Sequence, residues 1–119
     1  MVFSVMKIFI PPERRPEATK LLSTLAGRLE IIPGFLGSWI QERNSPCSYI
    51  VYAEQWKSEE AIHEHIRSLL YRRVLEVIEF STRAPEIVFY YVSHTEGMGL
   101  IQSLRSPSVA PGVESKVAT

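Results

Sequence analysis

The chain opens on an apolar run, Val2 to Ile10, rich in β-branched and aromatic residues. Such a run favours a strand, and Pro11-Pro12 ends it because proline cannot donate to a ladder. Pro16 suits the first turn of a helix. Behind it Ala18, Leu21, Leu22, Leu25, Ala26 and Leu29 recur at helical spacing and make one apolar stripe. Pro33-Gly34 closes that segment. Phe35 to Glu42 and Tyr49 to Trp56 read as two strands joined by the Asn44–Ser48 turn, a hairpin. Ser58 is placed to cap a following helix, with Glu59 and Glu60 in the first turn where the helix dipole favours acids. Helical character continues to about Phe80. Glu86 to Ser93, entered through Pro85, is the fourth strand.

The order β-α-β-β-α-β predicts an α+β, ferredoxin-like fold. Its four-stranded antiparallel sheet would carry the helices on one face. Strand alternation then exposes a problem. Ile87, Phe89 and Tyr91 point one way, and Val88, Tyr90 and Val92 the other. Tyr49, Val51 and Ala53 likewise oppose Ile50, Tyr52 and Trp56. Both faces are apolar, and soluble monomers rarely expose a large apolar patch. A homodimer that packs the open faces together resolves this.

The second helical region contains a conflict of its own. At about 100° per residue, Ala61, Ile62, Ile66 and Leu69 share one face. Val74, Leu75 and Ile78 lie nearly opposite. One straight helix cannot bury both stripes, so a bend or junction is expected near Ser68 to Tyr71. Residues 1–94 form the predicted domain, and 95–119 a C-terminal extension. Within the extension Met98, Leu100, Ile101 and Leu104 make a short apolar segment suited to docking on a dimer partner. From Ser106 onward the residues are small and Pro/Gly-bearing, which favours a flexible tail.

Composition narrows the function classes. Thirteen basic and thirteen acidic residues cancel, with no basic block, which argues against a nucleic-acid partner. No run approaches the ~20 apolar residues that span a membrane, and Met1 to Ile10 lacks the basic leader of a targeting peptide. Cys47 is the only cysteine, so no intrachain disulfide or CxxC knuckle exists. A cytoplasmic protein is the expectation.

Two of the three histidines sit in Glu54–Ser68, EQWKSEEAIHEHIRS. His63-Glu64-His65 is not the HExxH metal motif, whose histidines share a helix face. Two residues apart means roughly 200° of rotation, so these imidazoles diverge and no metal site is expected. His63 falls on the polar flank beside Arg67. His65 lies three residues after Ile62 and four before Leu69, inside the apolar stripe. Two roles fit it: a core-edge histidine satisfied by a backbone carbonyl, or an imidazole lining a pocket and moving a proton near neutral pH. Trp39, Trp56, Tyr49, Tyr52, Tyr90 and Tyr91 line the sheet with aromatics. They suit a core, and equally a pocket for a flat aromatic ligand.

The stretch PGFLGSWIQERNSPCSYIVYAEQWKSEEAIHEHIRS resembles the antibiotic biosynthesis monooxygenase (ABM) domain. The matching positions are Pro33, Gly34, Glu54, Trp56, Ser58, Glu60, Ala61, His65 and Ser68. The resemblance covers roughly residues 2–94 and implies a dimeric α+β barrel. It also implies chemistry in which O₂ is used without flavin or metal, the phenolate of the substrate supplying the electrons. The protein then binds the ring, helps deprotonate it and excludes water. The first strand lacks the asparagine of the heme-degrading members, and His65 falls where their tryptophan would be, which argues against heme degradation.

Two functions follow. One is a cofactor-independent monooxygenase acting on a quinol, anthrone or related phenolic, with His65 as the catalytic residue and Trp56, Trp39, Tyr52, Ile62 and Leu69 shaping the substrate pocket. The other is a non-catalytic dimeric ligand-binding or stress-related protein of the same fold.

Overall fold

In the computed structural model, which describes residues 1–106, strand β1 (Val2–Ile8) is central. Its even-numbered side chains Val2, Ser4, Met6 and Ile8 are buried, and its odd-numbered ones are partly open. It pairs antiparallel with β3 (Tyr49–Trp56) on one side and with β4 (Glu86–Tyr91) on the other. β2 (Phe35–Arg43) pairs with β3 to complete the order β2-β3-β1-β4. This is the ferredoxin-like arrangement that the element order predicts.

β1 stops two residues earlier than the apolar run. Past Ile8 the backbone leaves the ladder for loop partners. The Phe9 amide donates to Ser81 Oγ at 3.1 Å, and the Thr82 amide donates to the Phe9 carbonyl at 2.8 Å. Phe9 and Ile10 stay buried beneath these contacts.

Helix α1 (Arg15–Leu29) has proline in its first turn and buries Ala18, Leu22, Leu25 and Leu29. Those leucines meet Ile8, Ile50, Tyr52 and Trp56 in one core. The second helical region divides, as its two stripes require. α2 (Glu59–Arg67) begins at Ser58, whose Oγ accepts from the Ala61 amide at 3.1 Å. It ends at Ser68, whose backbone is extended, and a 3₁₀ turn at Leu69–Tyr71 leads into α3 (Arg72–Glu79). α2 buries Ile62 and His65, while α3 buries Val74 and Val77. The break serves Val77 rather than Leu75, which remains about half exposed.

Among the described residues nothing covers the face of the sheet turned away from the helices. Trp39, Val88 and Tyr90 are each 44–52% exposed on it, and Trp39 rests against Phe3 with ring centroids 6.4 Å apart. Helix α4 (Met98–Arg105) follows β4 and buries no residue. Met98, Ile101 and Leu104 are among the exposed apolar side chains. The expectation of a flexible segment after Ser106 lies outside the described residues. Among the described residues no helix is long and apolar enough to cross a membrane.

Candidate functional site

Glu54 is the residue from which the site is built. Alternation along β3 turns Ile50, Tyr52, Glu54 and Trp56 toward the helices, so a carboxylate enters the core. It is 1% exposed. Its cross-strand neighbours are Ser4 on β1 and Ser38 on β2, both small, which leaves room above the sheet at this position.

Three donors converge on this carboxylate. Trp56 Nε1 donates to Oε1 at 2.9 Å, and Tyr52 Oη donates to Oε2 at 2.5 Å. His65 Nε2 reaches both oxygens, at 3.0 Å from Oε1 and 3.1 Å from Oε2. A buried carboxylate persists only where hydrogen bonds replace its water, and three donors do so here. The arrangement also fixes the imidazole tautomer. An ionised carboxylate can only accept, so Nε2 carries the proton and Nδ1 carries the lone pair. Among the described residues nothing hydrogen-bonds to Nδ1.

Aromatic packing holds the ring. Trp56 stacks on His65 with centroids 4.6 Å apart and an interplanar angle of 27°. Tyr71, from the 3₁₀ turn after α2, meets it edge-on at 5.1 Å. The break between α2 and α3 is therefore what brings Tyr71 to the histidine. Ser68 fixes the far end of α2, its Oγ donating to the His65 carbonyl at 2.7 Å. Burial pushes the Tyr71 phenol up to about 12, and the negative charge of Glu54 adds to the effect. Burial likewise raises Tyr52 far above the ordinary range, helped by the charge of Glu54 and by the hydrogen bond to it. Both tyrosines are neutral at physiological pH.

An open cleft of about 650 Å³ lies beside α2 and touches His65. Pro33 and Gly34 form one wall, Ala61 and Ser68 the other, and Lys57 and Glu64 stand on the rim. The wall is close because Gly34 has a φ of 88° and no side chain. A Cβ there would lie 2.6 Å from Ala61 Cβ. His65 is the member of the buried cluster that reaches this cleft, which Tyr52, Trp56 and Ile62 do not line.

The five residues expected to shape a pocket with His65 are thus divided. Tyr52 and Trp56 contact His65 or its carboxylate, but from behind, within the packed core. Ile62 is on the same buried face of α2 and is 1% exposed. Trp39 is a correction: it points from the opposite face of the sheet, so the β-sheet separates it from His65 in the same protomer. Leu69 is a correction of place: it lines the neighbouring cleft and not the one at His65. The chain leaves the helix at Ser68, and this rotates Leu69 out of the α2 stripe to 77% exposure.

The carbonyl partner proposed as one alternative for His65 is replaced by a carboxylate. Glu54 was visible in the sequence as an acid at an inward position of an apolar strand, the signal that would have identified it. His63, expected on the polar flank, is partly buried, and Arg67 pairs with Glu64 at 2.9 Å instead of accompanying it. Among the described residues no three His, Cys, Asp or Glu side chains converge as a metal site requires.

Residues 1–77 match the family model for antibiotic biosynthesis monooxygenase. No curated protein matches the chain significantly. Solved structures share the fold at low identity. A conserved protein from Methanosarcina mazei Go1 is 22% identical with a TM-score of 0.66, over 75% of this chain and 89% of that one. An antibiotic biosynthesis monooxygenase, at 18% identity and a TM-score of 0.67, covers 79% of this chain and 100% of its own. A mutant of SnoaB, a cofactor-independent oxygenase from Streptomyces nogalater, is 15% identical with a TM-score of 0.66, over 79% and 94% of the two chains.

Proposed function

Because the chain belongs to the antibiotic biosynthesis monooxygenase family, we propose that it is a cofactor-independent oxygenase of a small phenolic such as a quinol or anthrone. The observation that carries this reading is the Glu54–His65 pair beneath the cleft beside α2. Nε2 is committed to Glu54, so Nδ1 is the acceptor for a phenolic proton. Glu54 stabilises the imidazolium that forms, and Tyr52 and Trp56 keep the carboxylate in place. The substrate anion then reduces O₂. With an anthrone, one oxygen atom enters as a carbonyl in place of the two hydrogens of the methylene group, and the other leaves as water.

Oxygen uptake with a panel of quinols and anthrones, with and without a chelator, tests the reaction. His65→Ala should slow turnover by ~10²- to 10⁴-fold, the usual contribution of a general base. His63→Ala is the control and should leave the rate unchanged. Wild-type turnover by His65→Ala would make the pair a structural lock, and the chain a ligand-binding protein of the same fold.

A homodimer belongs to the same proposal. The bare sheet face, with Trp39, Val88 and Tyr90, needs an apolar cover. A second copy supplies it, with Met98, Leu100, Ile101 and Leu104 of α4 docking on the partner. A cytoplasmic setting completes the proposal, since a lone thiol needs no oxidising compartment.

A further inference from the structure

A second cleft, of about 440 Å³, adjoins the first and is lined by Arg28, Leu69, Leu70, Arg72 and Arg73. Leu70 lines both clefts, which places them side by side. The chain has no net charge, yet three exposed arginines from two helices line this cleft. Arg73 is paired with Glu76 at 2.8 Å. Among the described residues Arg28 and Arg72 have no ion-pair partner. Arg28 closes α1, where the helix dipole favours a cation, but the placement of the other two is unfavourable in the protein alone. Arg72 and Arg73 open α3, whose first turn contains no acid, and the positive end of the helix dipole repels cations there. α2 is the contrast, with Glu59 and Glu60 in its first turn. Among the arginines, Leu69 presents an apolar side chain that is 77% exposed.

We infer that the arginine cleft recognises a carboxylate carried by the substrate, so that the substrate is an acid-bearing phenolic rather than a neutral one. The ring occupies the cleft at His65, the apolar link crosses Leu70 and Leu69, and the acid meets Arg28 and Arg72. Arginine suits this role because its planar fork matches a carboxylate bidentately. The inference rests on the reading of the His65 cleft as the substrate site, but its test is a binding measurement and needs no turnover.

The probes are 1-naphthol and a series of hydroxynaphthyl alkanoic acids with two to six methylenes before the carboxylate. Calorimetry on the full chain should show at least one acid binding about tenfold more tightly than 1-naphthol, the scale of a hydrogen-bonded charged group. Raising the salt should erode that preference. Arg28→Gln with Arg72→Gln should abolish it and leave 1-naphthol binding as it was. Equal affinity for acid and naphthol, no binding of any acid, or a preference that survives both substitutions would overturn the inference. A preference for the acid together with undiminished turnover by His65→Ala would instead remove the proton-transfer role and leave the arginine cleft standing.

Discussion

Glu54 is a single residue on which three others depend. Trp56, Tyr52 and His65 all direct N–H or O–H groups at its two oxygens within a core that admits almost no water. Removing a buried acceptor leaves each donor to bear its own desolvation cost. Glu54→Ala should therefore destabilise the fold by ~3–5 kcal/mol, measured by denaturant unfolding. Glu54→Gln should cost less, roughly 1–3 kcal/mol, because its amide oxygen still accepts while its NH₂ opposes a donor. Tyr71 gives the site a dependence on alkaline pH. Its folded-state value of about 12 lies above the ordinary 10.0. The unfolded chain thus loses its proton first as pH rises. The stabilisation is complete below pH 10.0 and is lost on the way to about 12. Unfolding midpoints across that window should fall, with Tyr52 adding to the loss. Tyr71→Phe should fall less steeply, retaining roughly 2 kcal/mol that the wild type loses by the upper end.

Among the elements, the turn between α1 and β2 matters as much as any helix. It presses on α2 at Gly34 and Ala61 and so sets one wall of the cleft. Two separate penalties meet a side chain there. A left-handed backbone costs an L-residue ~1–2 kcal/mol, and the added Cβ overlaps that of Ala61. Gly34→Ala should lower stability by more than the backbone penalty alone. Adding Ala61→Gly should recover the steric share and leave the backbone share, a separation that a double-mutant cycle measures. The interruption between α2 and α3 is the other decisive element. It lets Val74 and Val77 enter the core, brings Tyr71 onto His65 and turns Leu69 outward.

For the whole molecule the largest unmet requirement is the open sheet face. Light scattering at micromolar concentration should give twice the monomer mass of 13.6 kDa. Trp39→Glu, on the edge strand of that face, should shift the population toward monomer by placing a charge where the partner would pack. A wild-type monomer at all concentrations would refute the dimer. Exposed on the sheet and far from His65 in its own protomer, Trp39 belongs to this question of assembly rather than to proton transfer.

The pattern of apolar positions determined the element order, the helix cap at Ser58, the break near Ser68 and the two-sided sheet. Each follows from local periodicity or from backbone chemistry that neighbouring residues carry by themselves. The resemblance around Pro33–Ser68 added the family. The same sequence left His65 with two open roles, because its partner sits eleven residues away on another element. Strand alternation turned Glu54 inward with Tyr52 and Trp56 on the same face of β3, but only the packing of α2 on β3 decided that an imidazole would join them. Tertiary structure also separated Trp39 from Tyr52, since the side of a sheet on which a residue lies decides which cavity it can enter. It moved Leu69 out of the apolar stripe, since a one-residue departure from helical backbone at Ser68 redirects every side chain beyond it.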